Sequence, residues 1–208
     1  MEGKADSIRS SETPAEKGSA SPVQEQAWVL ASQRGDSLAF NRLVLKWEKP
    51  IYNLVLRMLH DPDEAAETTQ EVFLSAYRNV CRFRRDAKFS TWLYRIAVNH
   101  CMSRMRSRPP GVHLSLDDRA HGPGLRERLA PVKSHESDVI QNESWKRVRG
   151  AVEHLTPDQK AVVELKFFQD LTFEEIAAIV QVPLSTVKSR LYSGLESLKW
   201  RLGSLGTT

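Results

Sequence analysis

Three short stretches of this 208-residue sequence write the start of a helix in side-chain chemistry. Asp61-Pro62-Asp63-Glu64 offers an Asp that can cap, a Pro at the first helical position, where no backbone N–H is needed, and an acid three residues after the cap. Thr156-Pro157-Asp158-Gln159 repeats the arrangement, and Thr172-Phe173-Glu174-Glu175 is a capping box without the proline. Behind each, apolar residues recur at helical spacing. They are Val72, Phe73, Ala76, Tyr77 and Val80 after the first, Val162, Val163, Leu165 and Phe167 after the second, and Ile176, Ala177, Ile179 and Val180 after the third. A chain punctuated in this way is expected to be all-α.

The helices divide into two small domains. Residues 1–23 are Ser, Glu, Lys, Ala and Gly with almost nothing to bury, and they read as a disordered N-terminal tail without the apolar core of a signal peptide. Residues 24–107 read as the first domain. A short helix carries Trp28, Val29 and Ala31 and stops at Gly35; Asp36 caps a second, with Leu38, Phe40, Leu43, Val44 and Trp47 on its buried side. Pro50 is expected to kink or interrupt it before Ile51, Leu54, Val55, Met58 and Leu59. The helix from Asp61 follows, then one capped by Ser90 or Thr91 that runs to about Arg106. Residues 108–142, with Pro109-Pro110-Gly111, Gly122-Pro123-Gly124 and Pro131, read as a flexible linker, because a structureless stretch beyond ~15 residues is improbable inside a compact domain. Residues 143–205 form the second domain. Its first helix carries Trp145, Val148, Val152 and Leu155, the two capping-box helices come next, and Pro183 breaks the chain before a last helix from about Leu184 to Leu202. A short helix, a tight break and a second helix with basic and hydroxyl residues near its start make a helix-turn-helix, or else a hairpin that only packs.

Charge reverses sign inside the first domain. From Asp61 to Glu71 all charges are acidic, whereas Arg82, Arg84, Arg85, Lys88, Arg95, Arg104, Arg106 and Arg108 then follow against the single acid Asp86. Helical spacing places Glu64, Glu67, Thr68, Glu71 and Ser75 on one face, turned to water or to a basic partner. On the next helix Leu93, Ile96, Ala97 and Cys101 form the core stripe, leaving Trp92, Tyr94, Arg95, Asn99, Ser103, Arg104 and Arg106 outside or half outside it. Single-stranded nucleic acid needs that mixture. Cations neutralise phosphates, amides bond base edges, and aromatic faces stack unpaired bases for roughly 1–3 kcal/mol each. On the last helix Val187, Leu191, Leu195 and Leu198 turn inward, so Ser185, Lys188, Ser189 and Tyr192 line an exposed face. The net charge of +4 says less than this clustering does.

Other classes of function find little support. No apolar run approaches the ~20 residues a bilayer requires, so no membrane insertion is expected. Cys81 and Cys101 lie on apolar helical faces and are expected to be reduced, buried thiols of a cytoplasmic protein. The six histidines show no metal-ligand spacing, and no cofactor is implied.

The run from Asp61 to Phe73, followed by Phe89-Ser90-Thr91-Trp92-Leu93-Tyr94-Arg95-Ile96-Ala97-Val98-Asn99, resembles the promoter-melting domain of the extracytoplasmic-function sigma factors of bacterial RNA polymerase. Leu171-Thr172-Phe173-Glu174-Glu175-Ile176-Ala177 and Val182-Pro183-Leu184-Ser185-Thr186-Val187-Lys188-Ser189-Arg190-Leu191 are similar to the second domain of that family, which reads the minus-thirty-five element. The resemblance implies a non-enzymatic initiation factor whose partners are core RNA polymerase, promoter DNA as duplex and melted strand, and an anti-sigma factor. It implies core-polymerase binding by Asp61, Glu64, Glu67, Thr68, Gln70 and Glu71. Minus-ten recognition falls to Phe83, Lys88, Arg95, Asn99, Ser103, Arg104 and Arg106, and minus-thirty-five recognition to Ser185, Thr186, Lys188, Ser189, Arg190 and Tyr192. Three positions depart from the family pattern: Arg85 stands where Gly is common, Ser103 where Asp or Asn is common, and Ser193-Gly194 where Arg-Ala is usual.

Two other readings stay open at this level. A stand-alone repressor or activator would use residues 143–202 but leaves the acidic row and the aromatic-basic helix without a task. A nuclease or recombinase would need a metal-binding acid cluster or an activated nucleophile, and the acids from Asp61 to Glu71 lie on a convex helix beside no histidine or glycine loop.

Overall fold

The computed structural model describes residues 21–84, 87–107 and 150–204, and every regular element among them is helical. Helix α1 (Pro22–Gln33) is capped by the Ser21 hydroxyl, and Gly35, at φ +94°, turns the chain into α2 (Ser37–Leu59), whose first N–H groups are held by Asp36. Helix α3 (Pro62–Asn79) starts at the Asp61 cap, passes through a 3-10 turn at Val80–Arg82, and is followed by α4 (Phe89–Ser107). In the second domain a helical segment ends at residue 153, and α5 (Pro157–Phe167), α6 (Phe173–Val180) and α7 (Leu184–Ser204) follow. Both capping boxes close reciprocally, Thr156 with Gln159 and Thr172 with Glu175.

Helix α2 continues through Pro50 without interruption. A mid-helix proline costs about 3 kcal/mol, but the helix is anchored on both sides of it: Leu43 before, Ile51, Leu54 and Val55 after, all 0–1% exposed. Tertiary burial outweighs the local penalty. Between α6 and α7 the turn is made by Gln181 in the left-handed region at φ 57°, its N–H bonded to the Ala177 carbonyl at 2.9 Å, with Pro183 opening the next helix.

The buried residues of the two domains form one continuous cluster, with α5 packed on α2 and α4, and α6 packed on α4. Several expectations are corrected here. Leu38 and Tyr77, placed on buried stripes, are 70% and 50% exposed, and Tyr94, placed outside the core, is 5% exposed because it lies under Trp47 and the second domain. Cys81 is exposed on the 3-10 turn, while Cys101 is buried. Helix α4 begins at Phe89 rather than after a Ser90 or Thr91 cap, and Thr91 is buried in its first turn. Trp145, Val148, Arg85, residues 1–20 of the tail and the linker lie outside the described residues, while Ser21, Pro22 and Val23, assigned to the tail, cap and open α1. Among the described residues no helix is long and apolar enough to cross a membrane.

Candidate nucleic-acid interface

Much of the acidic row of helix α3 is engaged by partners within the chain. The Asp61 carboxylate is 6% exposed and accepts the N–H groups of Asp63 and Glu64, each at 2.9 Å. Arg104 of α4 donates to Glu67 at 2.9 Å and Glu71 at 2.8 Å, and His100 Nδ1 lies 3.4 Å from Glu71. The hydrogen bond to Glu67, with help from Glu71, raises the Arg104 pKa further above its already high ordinary value. Three expectations change. Thr68 is fully buried against the core and unavailable to any partner. Asp61 is a helix cap, and Arg104 is a clamp between α3 and α4 rather than a free phosphate contact. Gln70 remains exposed, and Glu64 is half-exposed.

What the acids do not cover, apolar side chains do. Beside Gln70, Leu74 and Tyr77 are 54% and 50% exposed at the rim of a groove of about 480 Å³ between α2 and α3, whose walls are Phe40, Val44 and Phe73. Sequence reasoning missed this feature. The available clue was Leu74, an apolar residue off the core stripe on an otherwise polar face.

The loop before α4 carries an aromatic cluster. Phe83 is 8% exposed and packs on Phe89 and Trp92 with ring centroids 6.0 and 5.1 Å away, so it forms part of a pocket wall. Gln33 fastens the loop by donating to the carbonyls of Val80 and Phe83 at 3.2 and 2.8 Å. Next to it a cavity of about 440 Å³ is lined by Trp47, Phe83, Lys88, Phe89 and Ser90 with the paired Glu25 and Lys46. The Trp47 indole N–H is itself buried with no hydrogen-bond partner, and the aromatic walls of the cavity suit a flat ligand. Asn99, Ser103 and Arg106 are exposed along α4.

Lys88 and Arg95 point at the second domain. Lys88 Nζ lies 2.7 Å from Glu175 Oε1, and this contact lowers the Glu175 pKa and raises that of Lys88. Arg95 donates through Nε and Nη2 to the Ala178 carbonyl at 3.1 and 2.6 Å.

On α7, Val187 and Leu191 are 0% and 4% exposed against α5 and α6, which leaves Ser185, Lys188, Ser189 and Tyr192 exposed on one face and Thr186 half-buried. Lys188 also lies 5.7 Å from the centroid of the Phe173 ring. Arg190 pairs with Asp158 at 3.2 Å, near the N-terminus of α5, and Ser193 accepts from Gln159 at 3.0 Å.

A basic-aromatic helix in one module and an exposed recognition helix in the next are the parts of a DNA-binding protein. Residues 43–109 match the Sigma-70 region 2 family and residues 145–198 the Sigma-70, region 4 family. The chain is 37% identical over 179 residues to the RNA polymerase sigma-H factor of Pseudomonas aeruginosa, covering 84% of this chain and 92% of that protein. It is 34% identical over 176 residues to the ECF RNA polymerase sigma factor SigW of Bacillus subtilis, covering 83% and 94%. In fold it is similar to CnrH, solved in complex with the cytosolic domain of CnrY, with a TM-score of 0.64 and 16% identity over 87% of this chain and 98% of CnrH. It is similar also to the sigma factor RpoE of Bartonella quintana, solved with the anti-sigma factor NepR, with a TM-score of 0.59 and 20% identity over 79% and 96%. The chain belongs to the extracytoplasmic-function sigma factors of the sigma-70 family. It is thus a transcription initiation factor, a class that acts by binding polymerase and promoter DNA and not by catalysis.

Proposed function

We propose that this chain docks on core RNA polymerase through the groove between α2 and α3, and that α4 and α7 then engage the two promoter elements. The observation that carries the docking surface is the exposed pair Leu74 and Tyr77, on a helix whose Glu67 and Glu71 are already engaged by Arg104. Large apolar side chains held at the surface beside a groove gain about 25 cal/mol for each Å² of apolar area a partner covers. Gln70 and Glu48 supply the polar rim, and the remaining acids act chiefly on association rate.

On α4, Asn99 and Ser103 face base edges while Lys88, Arg95 and Arg106 serve phosphates of the melted minus-ten strand. The cavity at Trp47 takes a flipped base, returning by stacking on its aromatic walls and by its polar lining the few kcal/mol that unstacking costs. On α7, Lys188, Ser189 and Tyr192 face bases of the minus-thirty-five duplex, with Ser185, Thr186 and Arg190 toward the backbone. Because RpoE of Bartonella quintana was solved with an anti-sigma factor, we extend that kind of control to this chain, and a cytoplasmic setting goes with polymerase and promoter as partners.

The test is retention of purified core polymerase by the immobilised chain. Leu74→Ala combined with Tyr77→Ala should lower retention by about tenfold or more, with only a modest fall in the thermal midpoint, because both side chains are exposed and the main packing lost is that of the Tyr77 ring on Phe40. Undiminished retention by the variant would move docking off this groove, and no retention by the wild type would overturn polymerase docking altogether.

A further inference from the structure

We infer that Phe173, the first residue of α6, is a positioning residue for promoter reading: its ring seats the Lys188 ammonium of the recognition helix and so sharpens the base preference of that lysine. The inference rests on the functional reading above, since it takes Lys188 as a base-facing residue of α7. Two lysines from different helices converge on this one ring. Lys188 Nζ, from the second turn of α7, lies 5.7 Å from the ring centroid, and Lys166 Nζ, from the end of α5, lies 5.3 Å from it. Both fall within the ~6 Å over which an ammonium is drawn to the negative face of an aromatic ring.

The ring is a fixed point. The reciprocal capping box of Thr172 and Glu175 sets the backbone around it, and its side chain is partly buried against the domain core. Lys166 is tied down as well, by a hydrogen bond to the Leu171 carbonyl at 3.0 Å. Lys188, by contrast, is exposed. Like charges repel, so the tethered Lys166 keeps the Lys188 ammonium from folding back over α5.

Lysine needs such a seat if it is to read a base. Its ammonium is a point charge on a flexible four-carbon stem, and a stem that must be ordered on binding costs affinity that a stem held beforehand does not. A carboxylate at the Phe173 position would hold the lysine too, but it would cancel the charge that phosphates attract. A ring leaves the charge in place and leaves the ammonium donors to a base-edge acceptor such as guanine O6 or N7. The hold is light, about two- to fivefold in population at an exposed site, which biases the lysine without withholding it from DNA.

The test measures base preference as enrichment from a pool of random-sequence duplex DNA captured by the full chain. Lys188→Ala should flatten the preference at one position and thereby mark the base that Lys188 reads. Phe173→Leu, which keeps an apolar side chain and removes the ring, should weaken the preference at that same position by about two- to fivefold. It should leave the salt dependence of affinity unchanged, since no charge is lost. Phe173→Tyr keeps the ring and should keep the preference. Combined with Lys188→Ala, Phe173→Leu should have no further effect on preference, whereas a ring needed only for packing would cost the same in both backgrounds. Full preference in Phe173→Leu at the position that Lys188→Ala flattens, or a Tyr variant no better than the Leu variant, would overturn the positioning role and leave the reading of α7 standing. A preference untouched by Lys188→Ala would overturn Lys188 as a base reader, and the role of Phe173 with it.

Discussion

Ser193 stands one residue past Tyr192 on the exposed side of α7, and its hydroxyl accepts from Gln159 and donates to the Arg190 carbonyl. The neighbouring Arg190 is drawn toward Asp158, which leaves this end of the recognition helix poor in free positive charge. Ser193→Arg should therefore strengthen duplex binding and steepen the plot of log affinity against log salt by about one counterion. Anisotropy titrations at several salt concentrations check this, and an unchanged slope would rule out a new phosphate contact. At this scale the sequence reveals chemistry better than occupancy. The basic and hydroxyl residues of α7 were legible because Val187 and Leu191 fix the buried side and three- and four-residue spacing then fixes the other. Thr68 and Phe83 were not, because a residue at the edge of an apolar stripe is buried or exposed according to what packs over it, and Glu67 and Glu71 could not show that Arg104 would reach them from 37 and 33 residues away.

Element boundaries followed from local chemistry and were correspondingly legible. Caps act within four residues, so Asp61, Thr156 and Thr172 announced α3, α5 and α6 directly. Continuity of α2 through Pro50 was not announced, since the burial that overrides the proline comes from other helices. The Asp61 cap also separates a structural role from a docking role. Asp61→Ala should destabilise the first domain by about 1 kcal/mol, as loss of an N-cap does, whereas Asp61→Asn, which keeps a capping oxygen, should stay within a few tenths of that value from wild type. Urea unfolding reads the difference. If Asn costs as much as Ala, the carboxylate charge near the α3 N-terminus, and not the cap hydrogen bonds to Asp63 and Glu64, is what matters there.

At the scale of the whole molecule the joint between the domains contains an acid in an unusual state. Glu164 is 2% exposed, and burial raises its pKa above the ordinary 4.5 although Arg57 and Lys160, which face it, pull the other way. None of this was legible in sequence, because the contact joins residues 107 positions apart across a segment with no fixed spacing. A carboxyl whose folded pKa lies above its unfolded value binds more protons folded than unfolded between the two, so its contribution to stability falls as pH rises through that window. Glu175 works in the opposite sense: its pKa is lowered by Lys88, and its contribution is present above the ordinary value and lost only as pH falls below it. Above 4.5 the Glu164 effect therefore stands apart from that of Glu175. Glu164→Gln keeps the shape and removes the titration, so the stability of wild type minus that of the variant, from urea midpoints at rising pH above 4.5, should decline and then level off once the pH passes the raised folded pKa. Taking the difference cancels histidines common to both, including His100 beside Glu71. A flat difference would mean that Arg57 keeps Glu164 ionised throughout, making the joint an ordinary ion pair; a declining one would mean that the packing at this joint is stronger in mild acid and weakens as Glu164 ionises.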